Sequence, residues 1–238
     1  IPDDWIKLLE TRSDVNEILK LDEYIDLIIP RGSNSFVRYI MDNSRIPVMG
    51  HADGICHCYV EEDADMDMAV NVVVDSKIQY VAVCNAAETL LVHKGIAKKF
   101  LPVLKKVMDE KHVELIGCHE TCAIIPVTQA AEEDWENEYL DYKMSVKVVG
   151  DIEEAIDHIN KYGSGHTDAI ITKSSKKAGR FMSMIDSGSV FWNCSTRFND
   201  GFRYGLGAEV GISTSKLHAR GPVGLEGLVI YKYLLSGN

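Results

Sequence analysis

The sequence predicts an α/β fold, a mainly parallel sheet with flanking helices. Two observations carry that reading. Short apolar runs alternate along the chain with segments whose apolar residues recur at helical spacing, the rhythm of strand–helix–strand units. The composition, 238 residues with 46% hydrophobic and 26% charged, is enough for a sizeable core in one large or two small domains.

Taken in order, Tyr24-Ile25-Asp26-Leu27-Ile28-Ile29 reads as a strand. Pro30-Arg31-Gly32-Ser33-Asn34 is a turn opening a helix with Phe36, Val37 and Ile40. Ile46 to Met49 and Cys56 to Val60 are strands, and Met66, Ala69, Val70, Val73 and Val74 mark a helix. Thr89 to His93 is a strand, followed by a helix through Ile96, Phe100, Val103, Leu104 and Val107, then a strand from Val113 to Gly117. Ser145 to Val149 is a strand, and Asp151 with Glu154 forms a capping box for a helix through Ile152, Ala155, Ile156 and Ile159. Strands Asp168 to Thr172 and Ser189 to Trp192 flank a helix carrying Ala178, Phe181, Met182 and Ile185. Beyond Trp192 the chain turns Gly-rich, bears Arg197, Arg203 and Arg220, and has little periodicity before Leu228. Sites tend to sit in such loops beside a regular scaffold.

The formal net charge is −11, so a nucleic-acid partner is not expected, because phosphate neutralisation dominates that affinity. No apolar run approaches a membrane span. The acidic amino end is neither signal nor transit peptide, and without an initiator Met the chain reads as processed or as a piece of something longer. Six cysteines at low density, with no export signal visible, read as free thiols in a reducing cytoplasm.

Cys84 lies on a connection between a helix and a strand, where a thiol can be exposed and aimed. The alternative is a small buried core residue. Cys56-His57-Cys58 lacks the spacing of a zinc site, and no metal is expected. Gly205 to Gly211 resembles a dinucleotide fingerprint but lacks the flanking strand and helix, so it reads as a loop. Gly32 and Ser33 follow a strand and open a helix, a suitable phosphate cradle or a plain N-cap. Arg197 and Arg220 suit carboxylate or phosphate recognition, or surface ion pairing.

Several ordered blocks carry a resemblance. They are Asp26 to Asn34, Pro47 to Cys56, Cys84-Asn85-Ala86-Ala87-Glu88-Thr89-Leu90-Leu91, Gly207 to Thr214 and His218 to Glu226. Together they resemble the γ-glutamyl phosphate reductase branch of the aldehyde dehydrogenase superfamily, over essentially the whole chain. The resemblance implies an aldehyde dehydrogenase-like fold containing part of the cofactor domain plus the catalytic domain. Residues 1–68 would close an NADP-binding domain and 69–215 would be catalytic. Residues 216–238 would return to the cofactor domain or make an oligomer contact. Family members are longer, so the chain is expected to begin inside the cofactor domain, with the adenosine pocket upstream.

The same resemblance assigns Cys84 as nucleophile, its backbone N–H as half an oxyanion hole, Gly32 and Ser33 to cofactor phosphate, and Glu138 to the nicotinamide ribose. Asn193, Ser195, Thr196, Arg197 and Arg220 are the candidates for substrate binding. The implied reaction is NADPH-dependent reduction of L-glutamyl 5-phosphate to glutamate 5-semialdehyde through a Cys84 thioester, in proline biosynthesis. A glutamate 5-kinase partner and a homo-oligomer are also implied. Oxidising relatives carry a glutamate base where this chain reads Val48-Met49-Gly50-His51-Ala52-Asp53-Gly54. A thioester destined for reduction must escape hydrolysis, so the missing base agrees with a reductase. An acylating or oxidising semialdehyde dehydrogenase, or an inactive assembly module, is the alternative.

Overall fold

The computed structural model describes residues 5–217 and 219–237, the side chain of Arg12 apart. His218, in the last of the ordered blocks, lies outside the described residues. Contacts divide the chain into two units, residues 1–52 and 53–238.

In the first unit, helix α1 (Arg12–Ile18) begins with a capping box. Thr11 Oγ1 accepts from the Asp14 N–H at 3.2 Å, and Asp14 Oδ2 accepts from the Thr11 N–H at 2.9 Å. Helix α2 (Asn34–Asn43) buries Val37 and Ile40 and is capped by Ser33, whose Oγ accepts from the Phe36 N–H at 3.3 Å. The two strands expected over 24–29 and 46–49 are reduced to one parallel bridge between Ile28 and Val48. Ile28 N–H donates to Pro47 O, and Met49 N–H donates to Ile28 O. Pro30 and Pro47 carry no N–H, so the ladder cannot extend past them.

The second unit is built on a seven-stranded sheet. Its strands are β1 (Cys56–Val60), β2 (Ala87–His93), β3 (Glu114–Gly117), β4 (Thr128–Gln129), β5 (Lys143–Val149), β6 (Thr167–Ile171) and β7 (Ser189–Trp192). The order is β4-β3-β5-β2-β1-β6-β7, and every pairing is parallel. Helices α3 (Met66–Ile78), α4 (Lys94–Glu110), α5 (His119–Cys122), α6 (Ile152–Tyr162) and α7 (Ser175–Met184) connect the strands. Antiparallel β8 (Gly211–Ser213) and β9 (Gly221–Val223) form a separate pair. The boundary between the units falls at 52/53; β1, bonded to β2 and β6, and the β8–β9 pair both lie in the second unit.

Side chains alternate across the sheet as a strand's two-residue period requires. Cys58, Val60, Leu90, Val92, Ala169 and Ile171 pack in one core with α3 and with Phe100 and Leu104 of α4. Tyr59, Leu91 and Ile170 face the other way, onto Ile156 and Ile159 of α6 and Phe181 of α7. The central strands are thus buried on both faces, as a parallel sheet with helices on either side demands. Asp151 caps α6 by accepting from the Glu154 N–H. The return bond goes to Gly150, whose N–H donates to Glu154 Oε2 at 2.7 Å, so the expected capping box closes one residue early.

Candidate active site

Cys84 sits in the connection from α3 to β2. The turn is closed by a bond from the Ala86 N–H to Val83 O at 3.0 Å, which leaves Cys84 and Asn85 at its corner. It lies at the amino ends of the two central strands, where Ala87 of β2 is in register with Cys56 of β1. Ligands of open α/β sheets usually gather at the carboxyl ends, so the strand order alone would point to the opposite edge.

Three contacts pin this turn. The Cys56 thiol donates to Cys84 O at 3.2 Å. Asn85 Nδ2 donates to Asn199 O at 2.8 Å, tying the turn to the Gly-rich segment. Gly54 packs directly against the Cys84 backbone, with no room for a side chain.

Burial pushes the Cys84 thiol up to about 11, and the carboxylates of Glu138 and Glu209 push the same way. A backbone hydrogen bond and the Arg197 guanidinium act against them. Arg197 is half-buried, and its Nε is buried with no hydrogen-bond partner among the described residues. Burial disfavours its charge and the Cys84 sulfur favours it, which places the guanidinium in electrostatic reach of the thiol. Residues 195–197 owe their position to Ser76 at the end of α3. Its hydroxyl accepts from the Thr196 N–H at 3.1 Å and donates to Ser195 Oγ at 3.2 Å, while Ser195 Oγ accepts from the Arg197 N–H. Thr196 is fully buried, and its Oγ1 has no partner among the described residues.

Glu138 is half-buried and acts on both Cys84 and Glu88. Two residues on, Leu140 has a left-handed φ of +52°, and its N–H donates to Glu88 Oε1 at 3.4 Å. Glu88 Oε2 in turn accepts from Lys77 Nζ at 2.6 Å, and both side chains are fully buried. Burial pushes the Glu88 carboxyl upward and the Lys77 ammonium downward.

Other candidates are held elsewhere. The Asn193 amide is taken up by the Thr172 backbone, with Oδ1 accepting from N–H and Nδ2 donating to C=O, both at 3.0 Å. Arg220 donates from Nη1 to Asp186 Oδ1 at 2.8 Å and from Nη2 to Asp186 O at 2.9 Å. Gly32 and Ser33 lie at the amino end of α2 in the first unit. Of the Cys56-His57-Cys58 run, His57 Nδ1 pairs with Asp168 Oδ1 at 3.0 Å, and Cys58 lies in the α3–α4 core. Gly205 and Gly207 lie in the loop before β8, as read from the sequence.

Gly54, Ser76, Lys77, Glu88 and His166 escaped the reading of the residues. A signal existed for one pair: Glu88 is a charge inside the apolar strand β2, and Lys77 lies 11 residues before it at the end of an apolar helix. His166, just before β6, has a ring nitrogen within 4.8 Å of the Cys84 sulfur, and nothing local to either residue announces the other.

The sequence profile of the aldehyde dehydrogenase family matches residues 1–145 and 143–208, and the chain belongs to that family. It is 78% identical over its whole length to a gamma-glutamyl phosphate reductase of Acetivibrio thermocellus, of which it covers 55%. A crystal structure of gamma-glutamyl phosphate reductase from Thermotoga maritima superposes with a TM-score of 0.93 at 47% identity, covering 96% of this chain and 55% of that one. Lactaldehyde dehydrogenase from Escherichia coli, at 21% identity and a TM-score of 0.65 over 90% of this chain and 53% of that one, shares the fold. The chain spans about half the length of the curated relatives it matches.

Proposed function

We propose that the protein carrying this chain reduces L-glutamyl 5-phosphate to L-glutamate 5-semialdehyde, releasing phosphate, in proline biosynthesis. The observation that carries this reading is a cysteine thiol on a pinned turn, in electrostatic reach of a guanidinium whose Nε has no hydrogen-bond partner among the described residues. The Cys84 sulfur attacks the acyl carbonyl, the bond to phosphate oxygen breaks, and a thioester remains on Cys84. Arg197 holds the anionic substrate, since a planar guanidinium suits carboxylate and phosphate oxygens. Thr196 Oγ1, buried and unpartnered among the described residues, is the neutral group best placed to assist it. Ser195 acts by fixing the Arg197 backbone, and Asn193 by fixing Thr172. Arg220 serves as a substrate ligand only through the part of its fork not engaged by Asp186.

The residues present fit a nicotinamide cofactor. In the first unit, α2 has no carboxylate in its first turn and Ser33 at its cap, so its amino end with Gly32 suits a phosphate. In the second unit, the half-buried Glu138 carboxylate near Cys84 suits ribose hydroxyls. When bound, the cofactor, assigned here as NADPH, supplies the hydride that reduces the thioester. A glutamate 5-kinase as supplier of the acyl phosphate, a homo-oligomeric assembly and a cytoplasmic location complete the proposal. The six free cysteines support the reducing compartment. Among the described residues, no helix is long and apolar enough to cross a membrane.

The test is Cys84→Ser in the protein that carries this chain. Acyl-phosphate-dependent oxidation of NADPH is expected to fall by several orders of magnitude with an unchanged melting curve, because a hydroxyl is a far weaker nucleophile. Turnover within a few-fold of the unmodified protein would refute the assignment.

A further inference from the structure

The thiol assigned to attack is poorly prepared to do so alone. With burial raising it to about 11, on the order of one Cys84 in ten thousand is ionised at pH 7. Two carboxylates, Glu138 and Glu209, face it, and Arg197 is the cation that opposes them. A nucleophilic cysteine needs a lowered pKa or an adjacent base.

The group that meets this need is on the opposite side of β1. His166 is fully buried in the segment entering β6. A ring nitrogen lies within 4.8 Å of the Cys84 sulfur. The ring is oriented from behind: Nδ1 is 2.8 Å from Thr167 Oγ1, and that oxygen accepts from Asn199 Nδ2 at 2.5 Å. Asn199 is also the residue whose backbone carbonyl receives the Asn85 amide, so one residue, through its side chain and its main chain, ties the histidine's support and the Cys84 turn together. The Cys56 sulfur touches both residues, 3.6 Å from His166 Nδ1 and 3.2 Å from Cys84 O. Cys56 is no competing nucleophile, because full burial and the charges around it push its thiol well above the ordinary range.

We infer that His166 is the general base of the reaction, taking the proton from the Cys84 thiol as sulfur attacks the acyl carbonyl. The S–C bond forms and the C–O bond to phosphate breaks. The proton passes from sulfur through the His166 ring nitrogen to the departing phosphate, which leaves as the hydrogen phosphate. The separation seen here is longer than a hydrogen bond, as is common for catalytic pairs before substrate binds. The Thr167 hydroxyl oxygen, by accepting from Nδ1–H, steadies the imidazolium while the proton is held.

This inference rests on Cys84 being the nucleophile, and the experiment separates the two. Iodoacetamide alkylation of each cysteine is followed by peptide mass spectrometry across pH in the protein carrying this chain, unmodified and as His166→Gln. In the unmodified protein, Cys84 is expected to react faster at about pH 7 than Cys118 and Cys122, below the range where a free thiol ionises. In His166→Gln, alkylation of Cys84 at neutral pH and turnover should each fall by roughly 10²-fold, the ordinary share of a general base. Cys118, Cys122 and the KM for NADPH should not change. If Cys84→Ser is inactive while His166→Gln alkylates and turns over like the unmodified protein, the inference fails and the nucleophile stands. If Cys84→Ser retains turnover, both fail. Should His166→Gln not fold, the unmodified profile still decides. Alkylation of Cys84 no faster at about pH 7 than that of Cys118 and Cys122, climbing only past about pH 9, marks an unassisted thiol and overturns the role given to His166.

Discussion

Gly54 and Cys84 touch backbone to backbone. A Cβ built on Gly54 would stand 2.3 Å from the Cys84 carbonyl oxygen, 2.6 Å from its Cα and 2.7 Å from its Cβ. None of these atoms belongs to a flexible side-chain end, so the clash cannot be relieved by a rotamer change. Gly54, two residues before β1, therefore sets how deeply the Cys84 turn can sit over the amino ends of the central strands.

Gly54→Ala is expected to lift that turn. The strain should cost about 1–3 kcal/mol of stability, in the range of an overpacked core. Turnover should fall further than stability suggests, by roughly 10²-fold, because a displacement on the order of 1 Å ruins an attack geometry. Thermal melts and steady-state rates on the same preparation check this; a variant with unaltered kcat would show the contact to be slack.

The two arginines singled out by sequence should separate. Arg197→Lys removes the fork beside Cys84 and is expected to raise the KM for the acyl phosphate by roughly 10- to 150-fold, the loss of a charge-assisted bond. Arg220→Lys mainly disturbs an ion pair with the half-exposed Asp186, worth about 0–1 kcal/mol of stability. Its KM should move much less. Equal KM effects from the two would return Arg220 to the substrate.

Lys77 and Glu88 form a fully buried pair at 2.6 Å. Lys77→Met leaves the Glu88 carboxyl buried without its partner and should destabilise by about 3–5 kcal/mol. Lys77→Met combined with Glu88→Leu should recover most of that loss, since an apolar pair of similar volume replaces both charges. Denaturant titrations of the singles and the double measure the coupling. In the double variant the Leu140 N–H loses its acceptor, so the segment carrying Glu138 should exchange its amides faster.

His158 gives the acid stability a definite sign. Burial, then His57 and two lysines, lower it from the ordinary 6.5 to about 2, and Lys147 Nζ lies 3.3 Å from its Nδ1. A group depressed on folding binds more protons in the unfolded chain. Its penalty is absent above pH 6.5 and grows as pH falls toward 2. At pH 5 the loss should reach about 2 kcal/mol. His158→Phe, which keeps a ring against Trp135 and Tyr162, should flatten that limb of the stability–pH curve. An unchanged slope would mean that His158 protonates in place.

Strand and helix identity over 56–117 and 143–192 was legible because it depends on neighbours within a few residues, whereas the short α5 and β4 carry no period to read. Apolar runs such as Ala169-Ile170-Ile171 and the helical recurrence of Ile96, Phe100 and Leu104 carry their own periods. The strands expected around Ile28 and Val48 failed because a ladder needs N–H donors on both partners, and the flanking prolines offer none. Cys84 was legible as a residue of the turn between α3 and β2, although it is half-buried there.

Its environment was not legible, since that is assembled from segments far apart in the chain. Gly54 lies 30 residues before Cys84, and Arg197 and His166 lie 113 and 82 residues after it. Only a parallel sheet that places the amino ends of β1, β2 and β6 side by side can gather them. The same distance dependence decided between two chemically equal arginines: Arg220 folds against Asp186, while Arg197 is held by Ser76 beside the thiol. Sequence determined which residues have the chemistry, because side-chain type and local period are written residue by residue. Tertiary structure decided which of them meet, because burial, unpaired polar atoms and charge–charge distances exist only once the sheet has closed.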